Sequence, residues 1–434
     1  EPALRLISSV LFGYPLALIH RKCIYGKGAN IQHLFFILTG FSLGYFNNGF
    51  DTLHSVFTIL FSYTAMLVLG GTAMSVAAVF IANMIYLLLG YYYTGTEDYD
   101  ICWTMPQCVL VLRLIGIAFD YYDGQQEPET LGAENKKVAL KEMPSFLEYF
   151  GFMLFPTAFM VGPQFSMKRY QDFVARKFSD PPDSVDASLK RLGQGLLYLA
   201  IFQTCGLFVS DHYMMSKEYG ETNFLKKFFL LGVWGRYTLY KYIACWMLTE
   251  GACILFGVTY NGQDENGKSN WDGLENVKLV IFENTTEFNH YIKSFNVNTN
   301  QWVAQYVYKR LKFLGNRYIS QLLALVFLAV WHGIHNGYYV CFFFEYIIIY
   351  DERDFKSIVK SSETMTNFFA DSTVQVISNI ILRIYTFVFM GWCLLPFVLL
   401  TYERYQLAFA NVYYSGIIVF VLWPIIWSPL LRLV

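Results

Sequence analysis

Residues 318–350 read YISQLLALVFLAVWHGIHNGYYVCFFFEYIIIY. The stretch is apolar over more than the roughly 20 residues a helix needs to cross a bilayer. It carries His332 and His335 near its middle. Similar runs extend from Val56 to Gly70, Thr72 to Leu89 and Val374 to Leu400. None alternates with the period of two that a membrane β-barrel strand requires. The pattern predicts an all-α, polytopic integral membrane protein.

Composition agrees. Of the 434 residues 55% are hydrophobic and only 15% charged, with a mean hydropathy of +0.36. A soluble domain of this size carries more surface charge. A net charge of −1 offers no general field for nucleic acid, so none is expected as a partner. The 19% aromatic content suits interfacial belts, and equally walls that face a long acyl chain. Candidate membrane segments fall at residues 5–20, 33–48, 53–70, 72–93, 105–121, 146–163, 192–213, 225–259, 318–350, 374–400 and 410–431. This predicts ten or eleven transmembrane or re-entrant helices around a buried reaction chamber, with 1–434 as a single domain. Pro156 and Pro163 bracket a segment that reads as broken or re-entrant.

Gly124 to Pro144, Ser166 to Arg191 and Asn261 to Gly273 are polar and read as solvent loops. Gln301 to Arg317 differs, mixing Trp302, Tyr306 and Phe313 with Lys309, Arg310, Lys312 and Arg317. It reads as an amphipathic basic helix at a membrane surface, leaning cytosolic with Ser166 to Arg191. Anchoring on lipid head groups and contact with an anionic ligand are equal readings of its cations. The eight cysteines lack metal-type spacing and read as buried thiols, although Cys102 and Cys108 could bridge in an oxidising lumen. The chain begins without Met and ends in the apolar stretch Leu431 to Val434, so tails and a targeting signal are expected outside it.

Most of the seven histidines, His20, His33, His54, His212 and His290 among them, lie near loops or span ends. His332 and His335 do not. An ionisable residue inside an apolar helix is costly and marks a functional site by default, with a packing histidine as the even alternative. In Trp331-His332-Gly333-Ile334-His335-Asn336-Gly337-Tyr338, the spacing predicts one helix with His332, His335 and Asn336 on a shared face. The two glycines would let backbone or ligand approach closely. A neutral imidazole in an apolar pocket can take a proton from a hydroxyl. Upstream, Asn296, Asn298 and Asn300 form a turn or cap signature, or supply an amide to a developing oxyanion.

An Asn followed some three dozen residues later by a His in a membrane helix resembles the signature of the membrane-bound O-acyltransferase family. Asn296 and His332 match it. Trp331-His332-Gly333 with Gly337-Tyr338 resembles the W-H-G-x-x-x-G-Y block of the lysophospholipid branch, with Asn336 and Tyr339 as small departures. Trp271-Asp272 and Gly162-Pro163-Gln164-Phe165 look like further blocks of that branch. The resemblance implies catalysis by His332 and Asn296. It implies substrate contacts from Trp331, Gly333, His335, Asn336, Tyr338, Trp302, Asn300, Lys309, Arg310 and Lys312. It also implies an acyl-CoA donor, a lysophospholipid acceptor, a preference for polyunsaturated chains and an endoplasmic reticulum membrane. No cofactor or metal is expected, acyl-CoA being a substrate. Membrane lipids are partners, and a homodimer is compatible with the reading. Two alternatives stay open. One is a different acceptor: another head group, a sterol, a diacylglycerol or a protein. The other is a transporter, for which Arg113, Glu148, Arg236, Lys241 and Glu345 are the charged candidates. Asn284-Thr285-Thr286 matches a glycosylation sequon and reads as unmodified.

Overall fold

The computed structural model of the chain describes residues 1–98, 101–178 and 183–433. Positions 179–182 of the basic stretch, and Val434, lie outside the described residues. Helices dominate: α1 (Pro2–Ile19), α2 (Ala29–Asn48), α3 (Thr52–Leu69), α4 (Ala73–Thr94), α5 (Thr104–Asp123), α6 (Phe146–Met153), α7 (Ser184–Gly206) and α8 (Phe224–Phe256) form the first two thirds. They are followed by α9 (Phe288–Ser294), α10 (Val297–Val303), α11 (Arg317–His332), α12 (Asn336–Ser361), α13 (Ser372–Leu399) and α14 (Tyr402–Asn411). Among the described residues there is no strand, only the isolated bridges Gln263–Ser269 and Val277–Phe295.

Among the described residues six segments are long and apolar enough to cross a membrane: Pro2–Ile24, Ala29–Leu69, Ala73–Thr94, Thr104–Asp123, Phe224–Phe256 and Ser372–Leu399. Their outward faces leave Phe57, Val68, Ile81, Leu89, Val376 and Ile380 exposed, as a lipid-facing surface does. The segment 410–431 is not one long helix: after α14 the chain passes through two π-helical turns into a four-residue helix, Ser428–Leu431. Nor is 318–350 continuous, because it breaks between α11 and α12.

The break at 146–163 shows how this fold keeps irregular backbone inside an apolar environment. Ser145 starts α6 with a capping box on Glu148. The helix stops at Met153, and turns carry the chain to a cis Gly162–Pro163 bond. The carbonyls freed there need donors that lipid cannot supply. Arg113, buried on α5, meets four of them: Nη1 donates to Phe152 (3.1 Å) and Met153 (3.4 Å), Nη2 to Ala158 (2.8 Å) and Pro163 (3.2 Å). Its guanidinium also stacks on Phe152 and Phe165.

Apolar packing forms three clusters. One joins α1 to α6 through Phe36, Ile59, Leu114 and Phe155. A second joins α8, α12 and α13 through Trp234, Phe344 and Trp392. A third holds α10 and α11 against α4 and α5 through Leu87, Leu112, Trp302 and Leu328. Residues of α1, α4, α5 and α7 to α13 line the interior space described next.

Candidate active site

α11 begins at Asn316, whose Oδ1 accepts from Tyr318 N and Ile319 N, and ends at His332. Gly333 ends it. Its φ of +145° lies where an L side chain is strained, so the glycine turns the chain at this point. His335 is the cap of α12 and Asn336 its first residue. The predicted shared face of His332, His335 and Asn336 is therefore corrected, since they belong to two helices. The two glycines do not lie on one helix either. Gly333 makes the break. Gly337 lets α12 meet the end of α13: a Cβ there would stand 2.0 Å from the Pro396 carbonyl oxygen. Its N–H donates to Leu400 O at 3.0 Å.

This corner fixes His332. The indole Nε1 of Trp331 donates to Cys108 O (2.8 Å), and the Tyr91 hydroxyl donates to Trp331 O (3.0 Å). The imidazole stacks on Phe342 (5.4 Å between centroids) and meets Phe397 edge-on (5.0 Å) and Tyr338 (5.7 Å). Although deep in the bundle, His332 is only half-buried, because one side faces a cavity of about 440 Å³. No protein hydrogen bond holds its ring among the described residues, which leaves the nitrogens to a ligand.

Asn296 lines the same cavity. Its backbone is left-handed (φ +50°), a conformation asparagine tolerates better than most residues, and it caps α10. Asn276 positions it. The Asn276 Nδ2 donates to Asn296 Oδ1 (3.2 Å), and the Asn276 backbone carbonyl accepts from Val297 N (3.0 Å). Asn276 Oδ1 accepts from Asn298 N (3.0 Å), and its own N–H donates to Glu250 Oε1 (2.8 Å). Glu250 projects from α8 and is paired with Arg191, whose Nε donates to Oε2 at 2.7 Å. With its oxygen engaged, Asn296 presents its amide N–H₂ as the group left for a ligand. The cavity wall is mainly apolar, with Trp246, Phe295, Leu328 and Leu394 among its members. An imidazole and an amide donor in such a space can move a proton and steady a developing negative charge.

The remaining predicted residues divide. Trp331, Gly333, His335, Tyr338 and Asn300 line the cavity. Asn300, however, spends its amide on Ile292 O and Phe295 O. Trp302 does not line it and stacks on Phe327 instead, and Asn336 is exposed outside it. Residues 304–314 form a π turn and a 3-10 segment rather than a regular amphipathic helix. Lys309 and Lys312 face outward there. Arg310 clamps Asp123 at the end of α5, with Nη1 to Oδ1 at 2.8 Å and Nη2 to Oδ2 at 2.5 Å. In the Ser166–Arg191 stretch, Arg169 is likewise folded in, donating to Val258 O and Tyr260 O, and burial lowers its guanidinium to about 10. Cys102 and Cys108 are both free, with Cys108 Sγ on Met105 O, so the suggested bridge is not formed. Gly162, Pro163 and Gln164 line the cavity, whereas Trp271 donates its indole N–H to Asp183 outside it. Sequence reading missed Asn276, Glu250 and Arg191. Glu250 alone left a signal there, a carboxylate inside the apolar run Met247 to Phe256. Among the described residues no cluster of His, Cys, Asp or Glu could hold a metal.

Residues 88–401 match the model of the MBOAT, membrane-bound O-acyltransferase family, and the chain belongs to that family of membrane acyltransferases. Its relatives sharpen the comparison. It is 45% identical to "Lysophospholipid acyltransferase 5" of Drosophila melanogaster over 97% of this chain and 86% of that protein. The proteins of the same name from Mus musculus and Homo sapiens are each 42% identical, over 97% of this chain and 87% of theirs. The transport reading has no support from these matches.

Proposed function

We propose that the chain is a lysophospholipid acyltransferase that moves a fatty acyl group from acyl-CoA to the sn-2 hydroxyl of a lysophospholipid. The observation that supports this is that His332 and Asn296 both line one largely apolar cavity. The names of its relatives supply the acceptor class. His332 takes the proton of the sn-2 hydroxyl. The oxygen attacks the thioester carbonyl carbon, and the resulting oxyanion receives a hydrogen bond from the Asn296 amide. Collapse breaks the C–S bond, and the coenzyme A thiolate takes the proton back from His332. Acylated phospholipid and free coenzyme A leave. An apolar chamber favours this chemistry because it holds both lipid substrates and keeps water from the thioester. Loss of one oxyanion donor typically costs roughly 100- to 1,000-fold in rate.

Lysophosphatidylcholine is the proposed principal acceptor and polyunsaturated acyl-CoA the proposed donor. The proposed setting is the endoplasmic reticulum membrane. The whole of 1–434 is proposed to act as one domain, its ten or eleven membrane segments made of the six long apolar helices together with the shorter and broken ones. Purified protein given mixed acyl-CoAs with lysophospholipids, a sterol and a diacylglycerol tests the reading, with products resolved by mass spectrometry. Acylated lysophospholipid is the expected product. Acylation of the sterol or diacylglycerol alone would overturn it.

A further inference from the structure

The mechanism above leaves one cavity residue without a task. Glu345 lines the chamber from α12, on the face that also carries Tyr338, Cys341 and Phe342. It lies three positions beyond Phe342, the ring stacked on His332, which sets it about 4.5 Å further along the helix axis. Among the described residues it has no hydrogen-bond or ion-pair partner. A carboxylate carried into an apolar interior is costly unless something compensates it. Aromatic residues line the same chamber: Tyr242, Phe288 and Tyr291 from α8 and α9, with Phe342 beside Glu345 itself. Ring faces and a carboxylate together attract an ammonium ion.

We propose that Glu345 is the head-group selector of the site: with the surrounding aromatic rings it receives the cationic nitrogen of a lysophospholipid whose sn-2 hydroxyl lies at His332. This rests on the lysophospholipid reading above and adds the residue that reads the charge of the head group, favouring cationic amino-alcohols over groups without a cation. Every such acceptor carries a phosphate, whereas Glu345 suits a group that only some carry.

The test uses the full chain in detergent micelles with one acyl-CoA. Lysophosphatidylcholine and lysophosphatidylglycerol serve as acceptors, and the ratio of their kcat/KM values is read from one preparation, which makes it independent of the folded fraction. The wild type should prefer lysophosphatidylcholine. Glu345→Gln should lower the ratio by about tenfold or more, chiefly through KM for lysophosphatidylcholine. Glu345→Asp should restore much of it. If Glu345→Gln does not turn over, binding of the two lysolipids to the purified variant gives the same ratio. An unchanged ratio in Glu345→Gln, or a wild type indifferent to the two head groups, overturns the selector role while leaving the acyltransferase reading standing. A wild type that acylates neither lysolipid overturns that reading itself.

Discussion

Asn276 touches Glu250 through its backbone N–H and Asn296 through its side-chain amide. It aims a residue proposed to act on substrate without belonging to the recognised sequence pattern. A misplacement of about 1 Å can cost on the order of 100-fold in rate, so Asn276→Ala should lower kcat strongly while KM for the lysolipid stays near wild type. A raised KM with normal kcat would show that Asn276 contacts the acceptor instead. Arg191→Ala leaves Glu250 without its cation. Removing one partner of a buried ion pair typically costs about 3–5 kcal/mol, so the variant should melt well below wild type in detergent. An unaltered Tm would mean that Glu250 needs no counter-charge. His332 and Asn296 were singled out by their match to a family pattern, since His332 by position alone read evenly as a packing histidine and the asparagines at 296–300 as a turn or cap. Asn276 was not, because its role exists only where α8, the 270s loop and the start of α10 meet. Arg310 misled for a related reason: a cation near a membrane surface looks the same in sequence whether it awaits a phosphate or already grips Asp123.

At the scale of elements, hydropathy found the apolar runs but not the places where they break. The run through 318–350 stays apolar across Gly333, and only the backbone angle reveals that two helices meet there. A glycine in an apolar run is compatible with a continuous helix, so composition could not decide the point. Two substitutions test the corner. Gly337→Ala places a methyl against the Pro396 and Leu400 carbonyls, which are backbone atoms and yield little. It should push α12 from α13 and reduce both Tm and turnover. Wild-type behaviour would show that this contact is looser than the structure has it. Arg113→Met removes a side-chain donor from four carbonyls, of which Phe152 O and Ala158 O keep a backbone donor and Met153 O and Pro163 O do not. Each buried acceptor left unpaired costs about 1–3 kcal/mol, so this variant should express poorly or melt early. Equal expression and Tm would place water or another donor at the break.

At the scale of the whole molecule, three apolar clusters enclose one polar-edged chamber. The membrane character was readable from composition, since only 15% of residues are charged. The chamber was not, because aromatic side chains that line a cavity and those that face lipid look alike in sequence. Among the described residues, six segments long and apolar enough to span, with outward faces rich in exposed Leu, Ile, Val and Phe, predict an integral protein. The chain should therefore stay in the membrane pellet after an alkaline carbonate wash. Release into the supernatant would contradict a spanning arrangement. The chamber makes sense of the rest only if His332 works within it. The most direct measurement is turnover by purified His332→Ala beside wild type, matched in Tm, with labelled acyl-CoA and lysophosphatidylcholine and the product quantified by mass spectrometry. The account predicts a fall of at least about 100-fold; a folded His332→Ala protein that forms acylated product at the wild-type rate would contradict it.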